Sequence, residues 1–315
     1  MAKTAFLFPG QGAQYVTMGK DICDAHECAR EIFERAQAVT GLPIMRLCFE
    51  GPEDELNATD IAQPAIFTVS AAMLAVMKKI LGDDMPKPAV CAGLSLGEYT
   101  ALYAAGAMDF ETGVKLVARR GQLMQAAATA RPSGMVAVMG LDEQQAVELC
   151  QKAAQGQILT PANFNCPGQI VLSGENEPCQ RAAELAPTMF PDACKGATVL
   201  KVAGAFHSEI MTPAAEELAK TLAEIKFNEP QIPVIANVDA KYYASAAEIP
   251  QKLLAQLTGA VRWQQSMEAL LADGMDAPYE IGPGKVLFGL MRRISRDCKV
   301  TQVNELAKVE NLKKC

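Results

Sequence analysis

The sequence predicts an α/β fold, a parallel-sheet core with a small ferredoxin-like subdomain inserted into it. Three observations predict it. Short apolar runs alternate with helical patterns through most of the 315 residues, the spacing of a parallel sheet with helices on its faces. Between Pro132 and Val202 the order changes to strand, helix, strand, strand, helix, strand, which is the ferredoxin-like order. Glycine-rich turns follow the apolar runs, at the carboxyl edge where open parallel sheets bind ligands.

The composition narrows the function. Half of the chain is hydrophobic and the net charge is −7, with no basic stripe and interleaved aromatics, so nucleic-acid binding is excluded. Residues 1–20 lack a signal peptide's charged start and long apolar core, and no apolar run reaches membrane-spanning length. A soluble, cytoplasmic monomer is expected. Ten cysteines form no Cys-x-x-Cys and none pairs with a histidine at metal-ligand spacing. They read as small, reduced, buried side chains, from Cys23 to Cys315. Cys166, in a polar loop, is the thiol to watch for reactivity.

The first strand, residues 4–8, runs into Pro9-Gly10-Gln11-Gly12. A dinucleotide fingerprint would need glycine at 15, where this chain has Tyr15, so the loop is a glycine-rich ligand loop of another kind. Residues 21–40 read as one helix with His26 solvated in a polar run. Asp60 to Lys79 is a long apolar helix, expected to be buried.

The next strand ends at Gly93, and Gly93-Leu94-Ser95-Leu96-Gly97 leads straight into a helix marked by Leu96, Tyr99, Leu102 and Tyr103 and closed by Gly106. Strand, tight turn, serine and helix is the setting of a nucleophile elbow, in which the hydroxyl is lifted from the turn towards free helix N–H groups. The alternative is a Gly-Ser turn that only caps a helix.

Asp109 caps a helix running to about Ala130. Arg119 falls on its polar stripe with Lys115 and Gln122, but Arg120 falls on the apolar stripe, one turn from Leu116 and Leu123. A cation on a buried face needs a partner. Two readings stand, an ion pair with an internal carboxylate or a socket for an anionic substrate.

The insert occupies residues 131–201, and the core is 1–130 with 202–315. Its elements are strand Met135–Gly140, helix Asp142–Ala154, strands Leu159–Asn163 and Gln169–Ser173, helix Glu177–Met189 and strand Thr198–Val202. The core resumes with Ala203-Gly204-Ala205-Phe206-His207-Ser208 and a helix opened by Thr212-Pro213. Strand Val234–Asn237 and helices near 248–257 and 264–273 follow. Strand Tyr279–Ile281 enters Gly282-Pro283-Gly284-Lys285, which is no Walker loop because Val286 stands where Ser or Thr is required. A basic helix with Arg292, Arg293 and Arg296 and a strand at Val300–Val303 complete the core.

The chain has two histidines, and only His207 lies in a glycine-flanked loop after a strand. An activated Ser95 needs a base, and His207 is the candidate. The alternative is a helix-start histidine bonded to local backbone. Ser before His is also the chain order of α/β-hydrolase-type sites. Acyl transfer onto serine is the favoured chemistry.

These residues identify a resemblance. From Phe8-Pro9-Gly10-Gln11-Gly12 to Gly282-Pro283-Gly284-Lys285-Val286-Leu287, the chain resembles malonyl-CoA:acyl carrier protein transacylases nearly end to end. The other motifs are Gly93 to Tyr99, Arg120-Gly121-Gln122-Leu123-Met124, Ala162-Asn163-Phe164-Asn165 with Gly168-Gln169, and Ala205-Phe206-His207-Ser208. The resemblance implies a hydrolase-like parallel-sheet core with the ferredoxin-like insert, Ser95 as nucleophile, His207 as base, and the N–H groups of Gln11 and Leu96 as oxyanion hole. It implies that a Gln256 carbonyl group holds His207 and that Arg120 grips the malonyl carboxylate. Met124, Asn165 and Phe206 would bind substrate, Phe206 matching the malonyl-selective loop. Leu94 departs from the pattern, since many members carry His before the nucleophile; it is expected only to pack beside the elbow, outside the acyl pocket.

The implied reaction is ping-pong. Ser95 takes malonyl from malonyl-CoA, and a phosphopantetheine thiol on acyl carrier protein removes it for fatty acid biosynthesis, with no metal or redox cofactor. Two rivals stand, a serine esterase and a carrier-docking module without chemistry. The basic group of Lys285, Arg292, Arg293 and Arg296 is a candidate dock for an acidic carrier, or a solvated face.

Overall fold

The computed structural model describes residues 3–313. Cys315 lies outside them. β1 (Lys3–Phe8) has its last four residues buried, as the apolar run Ala5-Phe6-Leu7-Phe8 requires, and it is an interior strand of the first sheet. The helix expected over 21–40 is two, α1 (Lys20–Ala25) and α2 (Glu27–Thr40), joined by an extended, half-buried His26 (φ −133°, ψ 120°). The break is stabilised locally. His26 donates its N–H to Ile22 O and accepts from Ala29 and Arg30, while the Arg30 guanidinium bonds the Cys23 carbonyl at 3.0 Å. Two short helices, α3 (Ile44–Glu50) and α4 (Glu53–Asn57), lead into α5 (Thr59–Leu81).

Within Thr59–Asp84 an 18-residue window reaches a mean hydropathy of 1.6, so this stretch is long and apolar enough to span a membrane, contrary to the sequence expectation that none was. Its apolar surface is used inside the protein. α2 and α7 (Phe110–Ala130) pack on α5, and Ile66, Phe67, Val69 and Met73 are fully buried. Asp109 caps α7 by accepting from Thr112 N–H at 2.8 Å.

The first sheet is parallel, in the order β2-β1-β7-β8, with β2 at Val90–Gly93, β7 at Met275–Ile281 and β8 at Thr301–Val303. Val234 adds a single parallel bridge to Cys91, not the expected strand Val234–Asn237. The chain turns back there, because Ile235 bridges Tyr242 and Ala236 N–H donates to Lys241 O. α6 (Leu96–Ala104) leaves the end of β2, and a left-handed Gly106 (φ 79°) follows it.

The second sheet is antiparallel, order β4-β5-β3-β6, and is built from β3 (Ser133–Met139), β4 (Leu159–Cys166), β5 (Gln169–Glu175) and β6 (Gly196–Val199). α8 (Glu143–Ala154) and α9 (Asn176–Met189) pack against it, giving the ferredoxin-like arrangement. The α/β class and both sheets agree with the sequence reading, but two details change. β6 starts and ends before Thr198–Val202, because its ladder with β3 runs from Gly196 to Val199. β4 reaches Cys166, so that thiol is buried rather than in an open loop, and burial raises its pKa. The cysteines among the described residues are all free.

α10 (Thr212–Ala223), α11 (Ile249–Thr258), α12 (Trp263–Ala272), α13 (Val286–Ile294) and α14 (Leu306–Leu312) complete the core. The second sheet is tied to it by Phe164 N–H to Val261 O at 2.9 Å and Val261 N–H to Ala162 O at 2.8 Å.

Close backbone packing fixes the elbow. A Cβ on Gly97 would lie 2.0 Å from the Phe8 carbonyl oxygen, so only glycine lets α6 start against β1. Gly97→Ala should therefore lower unfolding stability by at least about 2 kcal/mol in urea titration. Gly289→Ala is the control, since nothing lies within 4 Å of the added methyl on exposed α13; it should be neutral or stabilise by about 0.5–1 kcal/mol. Equal effects would show that the approach at Gly97 is not the constraint described.

Candidate active site

Ser95 sits between β2 and α6 with φ 51° and ψ −102°, a conformation that a non-glycine residue adopts only when its surroundings impose it. The surroundings are hydrogen bonds. Leu94 N–H donates to Phe8 O at 3.1 Å, Ser95 N–H to Asn237 Oδ1 at 2.6 Å, and Gly97 N–H to Leu94 O at 2.9 Å. Leu96 N–H has no acceptor among the described residues, and neither has Gln11 N–H in the loop after β1. Two free donors therefore belong to the two segments named as the oxyanion hole.

His207, also left-handed (φ 58°), places Nε2 2.8 Å from Ser95 Oγ. Its Nδ1 is 2.7 Å from the main-chain carbonyl of Gln256. A carbonyl can only accept, so Nδ1 carries the proton and Nε2 is left to accept from the serine hydroxyl. No acid is needed to fix this tautomer. Burial first, then the charge of Arg120, lowers the imidazole pKa to about 4, against the pull of the Gln256 carbonyl. His207 is thus a neutral base at neutral pH.

Arg120 is 1% exposed, and no carboxylate among the described residues pairs with it. Its partners are neutral. Nη1 donates to Gln63 Oε1 at 2.7 Å, and Nη2 donates to Gln256 Oε1 at 3.0 Å and to Ser95 Oγ at 3.1 Å. The guanidinium lies 5.1 Å from the centre of the Tyr99 ring, and Nε has no partner. Of the two readings of its buried position, the internal ion pair is not what the structure contains.

Behind these groups stands Glu98, fully buried one turn after Ser95. It accepts from the Tyr243 hydroxyl, from Gln256 Nε2 at 2.7 Å and from Asn237 N–H at 3.1 Å. Burial raises its pKa to about 7, opposed by those three donors and by Arg120. Gln63, Asn237 and Tyr243 were not found from the sequence. Gln63 sits in an unbroken apolar helix, and Asn237 and Tyr243 lie more than 130 residues from the elbow they serve. The Glu98 of the elbow motif was visible, but its burial was not.

A cavity of about 550 Å³ opens onto Ser95 between the two sheets. Gln11, Arg120, Met124, Asn165, Phe206 and His207 all line it, so the sequence brings these candidates to one place. Leu96 is fully buried and is not among the residues that line the cavity. Leu94 lines the cavity too, which corrects the expectation that it only packs beside the elbow. The segment that leads from the insert back to the core, Lys201 to Ala203, borders the cavity, as do Val286 and Leu290 of α13. Lys285, Arg292, Arg293 and Arg296 are exposed on and around α13, with Arg293 bonded to Pro167 O at 3.3 Å and Arg292 over the Phe288 ring. Among the described residues no cluster of His, Cys, Asp and Glu could hold a metal.

Comparison with known proteins gives three concordant results. Residues 5–313 match the acyl transferase domain family. The chain is 41% identical over 305 residues to the malonyl CoA-acyl carrier protein transacylase of Escherichia coli K12, covering 97% of each chain. Its fold matches that of the malonyl CoA-acyl carrier protein transacylase from Coxiella burnetii with a TM-score of 0.94, at 36% identity over 99% of this chain and 97% of the other. It also matches a malonyl-transacylase solved in complex with a type II PKS acyl-carrier protein, with a TM-score of 0.93, 38% identity and 99% coverage of both chains.

The buried imidazole can be tested directly, because only two histidines need be resolved by NMR. His207 should keep its Nδ1-protonated neutral form as pH falls, and titrate near 4 instead of at the usual 6.5. A His26→Gln variant assigns the signals. A His207 signal that titrates near 6.5 would contradict the burial described.

Proposed function

Because the chain belongs to the acyl transferase domain family, and within it to the malonyl CoA-acyl carrier protein transacylases, it is an enzyme that moves malonyl from malonyl-CoA to acyl carrier protein, and we propose that it does so through a malonyl ester on Ser95. His207 takes the Ser95 proton as the hydroxyl attacks the thioester carbonyl. The N–H groups of Gln11 and Leu96 stabilise the oxyanion. The imidazolium then returns the proton to the departing CoA thiol. In the second half-reaction the carrier's phosphopantetheine thiol gives its proton to His207 and attacks the ester, and Ser95 recovers its hydrogen.

The observation that carries this reading is Arg120. A buried guanidinium with only neutral partners, one nitrogen of it 3.1 Å from Ser95 Oγ, supports a substrate whose free carboxylate supplies the missing charge beside the reacting carbon. A serine esterase acting on neutral esters has no use for such a cation. The Ser95–His207 contact speaks against a docking module without chemistry. Met124, Asn165 and Phe206 line the acyl and pantetheine path, and the exposed basic residues around α13 offer an acidic carrier a complementary approach. A monomer is the proposed working unit, because Ser95, His207 and Arg120 already meet within one chain. The free cysteines support a reducing, cytoplasmic setting, where the enzyme supplies malonyl units to fatty acid biosynthesis.

Mixing the protein with malonyl-CoA alone should add one malonyl mass, mapped to Ser95. A label on a cysteine would overturn the serine ester. His207→Ala should slow loading by roughly 10²–10⁴.

Arg120→Ala should lower malonyl kcat/KM by on the order of 10²–10⁴, the worth of two charge-assisted bonds, and leave acetyl loading unchanged or faster. Arg119→Ala should do neither. Equal losses for malonyl and acetyl would mean that Arg120 is structural.

A further inference from the structure

We propose that Glu98 is a positioning residue of this site: through Gln256 and Asn237 it fixes Ser95 and the Arg120 guanidinium, and so sets the preference for a substrate that carries a carboxylate. The inference rests on the reaction proposed above. It begins with an asymmetry at Gln256. The two ends of an amide have the same size, so packing alone does not choose between them. Charge does. Only the nitrogen end can meet Glu98 Oε2, at 2.7 Å, and the same nitrogen donates to the Ser95 carbonyl at 2.9 Å. The oxygen end is thereby turned to Arg120 Nη2, at 3.0 Å. The opposite orientation would set amide N–H against guanidinium N–H and amide oxygen against the carboxyl.

Asn237 repeats the pattern on the other side of the serine. Its main-chain N–H is held by Glu98 Oε2 at 3.1 Å, and its side chain accepts Ser95 N–H at 2.6 Å and donates to Gly93 O at 2.8 Å. One carboxyl group thus stands one residue behind both backbone polar groups of the strained serine. The same Gln256 also holds His207 through its main-chain carbonyl. Tyr243 closes the shell on Oε1. If Glu98 takes up a proton it can do so on that oxygen, because a tyrosine hydroxyl can turn and accept, and Oε2 keeps its two donors.

The test compares malonyl-CoA and acetyl-CoA loading, as kcat/KM on folded protein, for wild type, Glu98→Leu, Glu98→Gln, Gln256→Met and the Leu/Met double variant. Glu98→Leu should lower the malonyl-to-acetyl ratio by roughly 10- to 100-fold, the usual worth of one hydrogen bond to a charged group. Gln256→Met keeps the carbonyl that holds His207 and should lower the ratio by a similar factor. The double variant should lower it no further, because both changes break one link. Glu98→Gln should recover at least about tenfold of the Leu loss, since its oxygen can take the same two N–H groups. Losses equal for both acyl groups, or losses that multiply in the double variant, would overturn the proposal. If Glu98→Leu does not fold, Gln256→Met decides alone, and an unchanged ratio overturns the link. A wild type that takes no malonyl would instead overturn the reaction itself.

Discussion

Arg120 carries a positive charge to a position where its side chain is almost wholly buried, at the wall of the cavity, and the groups around it are those that such a charge permits. An ion pair would have been the common solution, yet the guanidinium meets two amide oxygens, a hydroxyl and an aromatic face. Each neutral partner lowers the cost of burial a little without cancelling the charge. The remaining field acts on its neighbours. Together with burial it depresses the His207 pKa, so the imidazole is uncharged at neutral pH, and it is one of the influences holding the Glu98 pKa down against burial. An anion entering the cavity would find an attraction that bulk water no longer screens.

Such a charge has to be held still, and Gln256 does most of the holding. Its side chain joins Arg120, the Ser95 carbonyl and Glu98, and its main chain joins His207. α11 therefore serves Ser95, His207 and Arg120 from one residue. The carbonyl takes the place an acidic third member fills in other serine sites: it fixes the tautomer without adding a negative charge that would neutralise Arg120.

The two sheets divide the remaining work. The parallel sheet brings the loop after β1 and the elbow after β2 to one edge, with Gly97 allowing the approach of α6 to Phe8. The inserted antiparallel sheet supplies a wall with Asn165 on it, the Lys201–Ala203 segment that follows β6 extends it, and α13 supplies another with Val286 and Leu290. The cavity between these walls leads to a serine whose backbone N–H and carbonyl are both held by hydrogen bonds.

What the sequence determined by itself was local. Ser95 was legible because strand, paired glycines and helix start lie within a dozen residues, and Arg120 because a helix's periodicity assigns each position a face. His207 stood out by scarcity, and the insert by its element order. Local pattern misled where a side chain answers to something distant. The junction at His26 depends on Arg30 reaching back to Cys23, Cys166 is drawn into a strand by its partner, and Asn237 ends a strand-like run because it serves the elbow. Whether Arg120 met a carboxylate could not be read from α7 at all. Its partners Gln63 and Gln256 lie 57 and 136 residues away, and only the folded chain brings those amides, rather than an acid, against the charge.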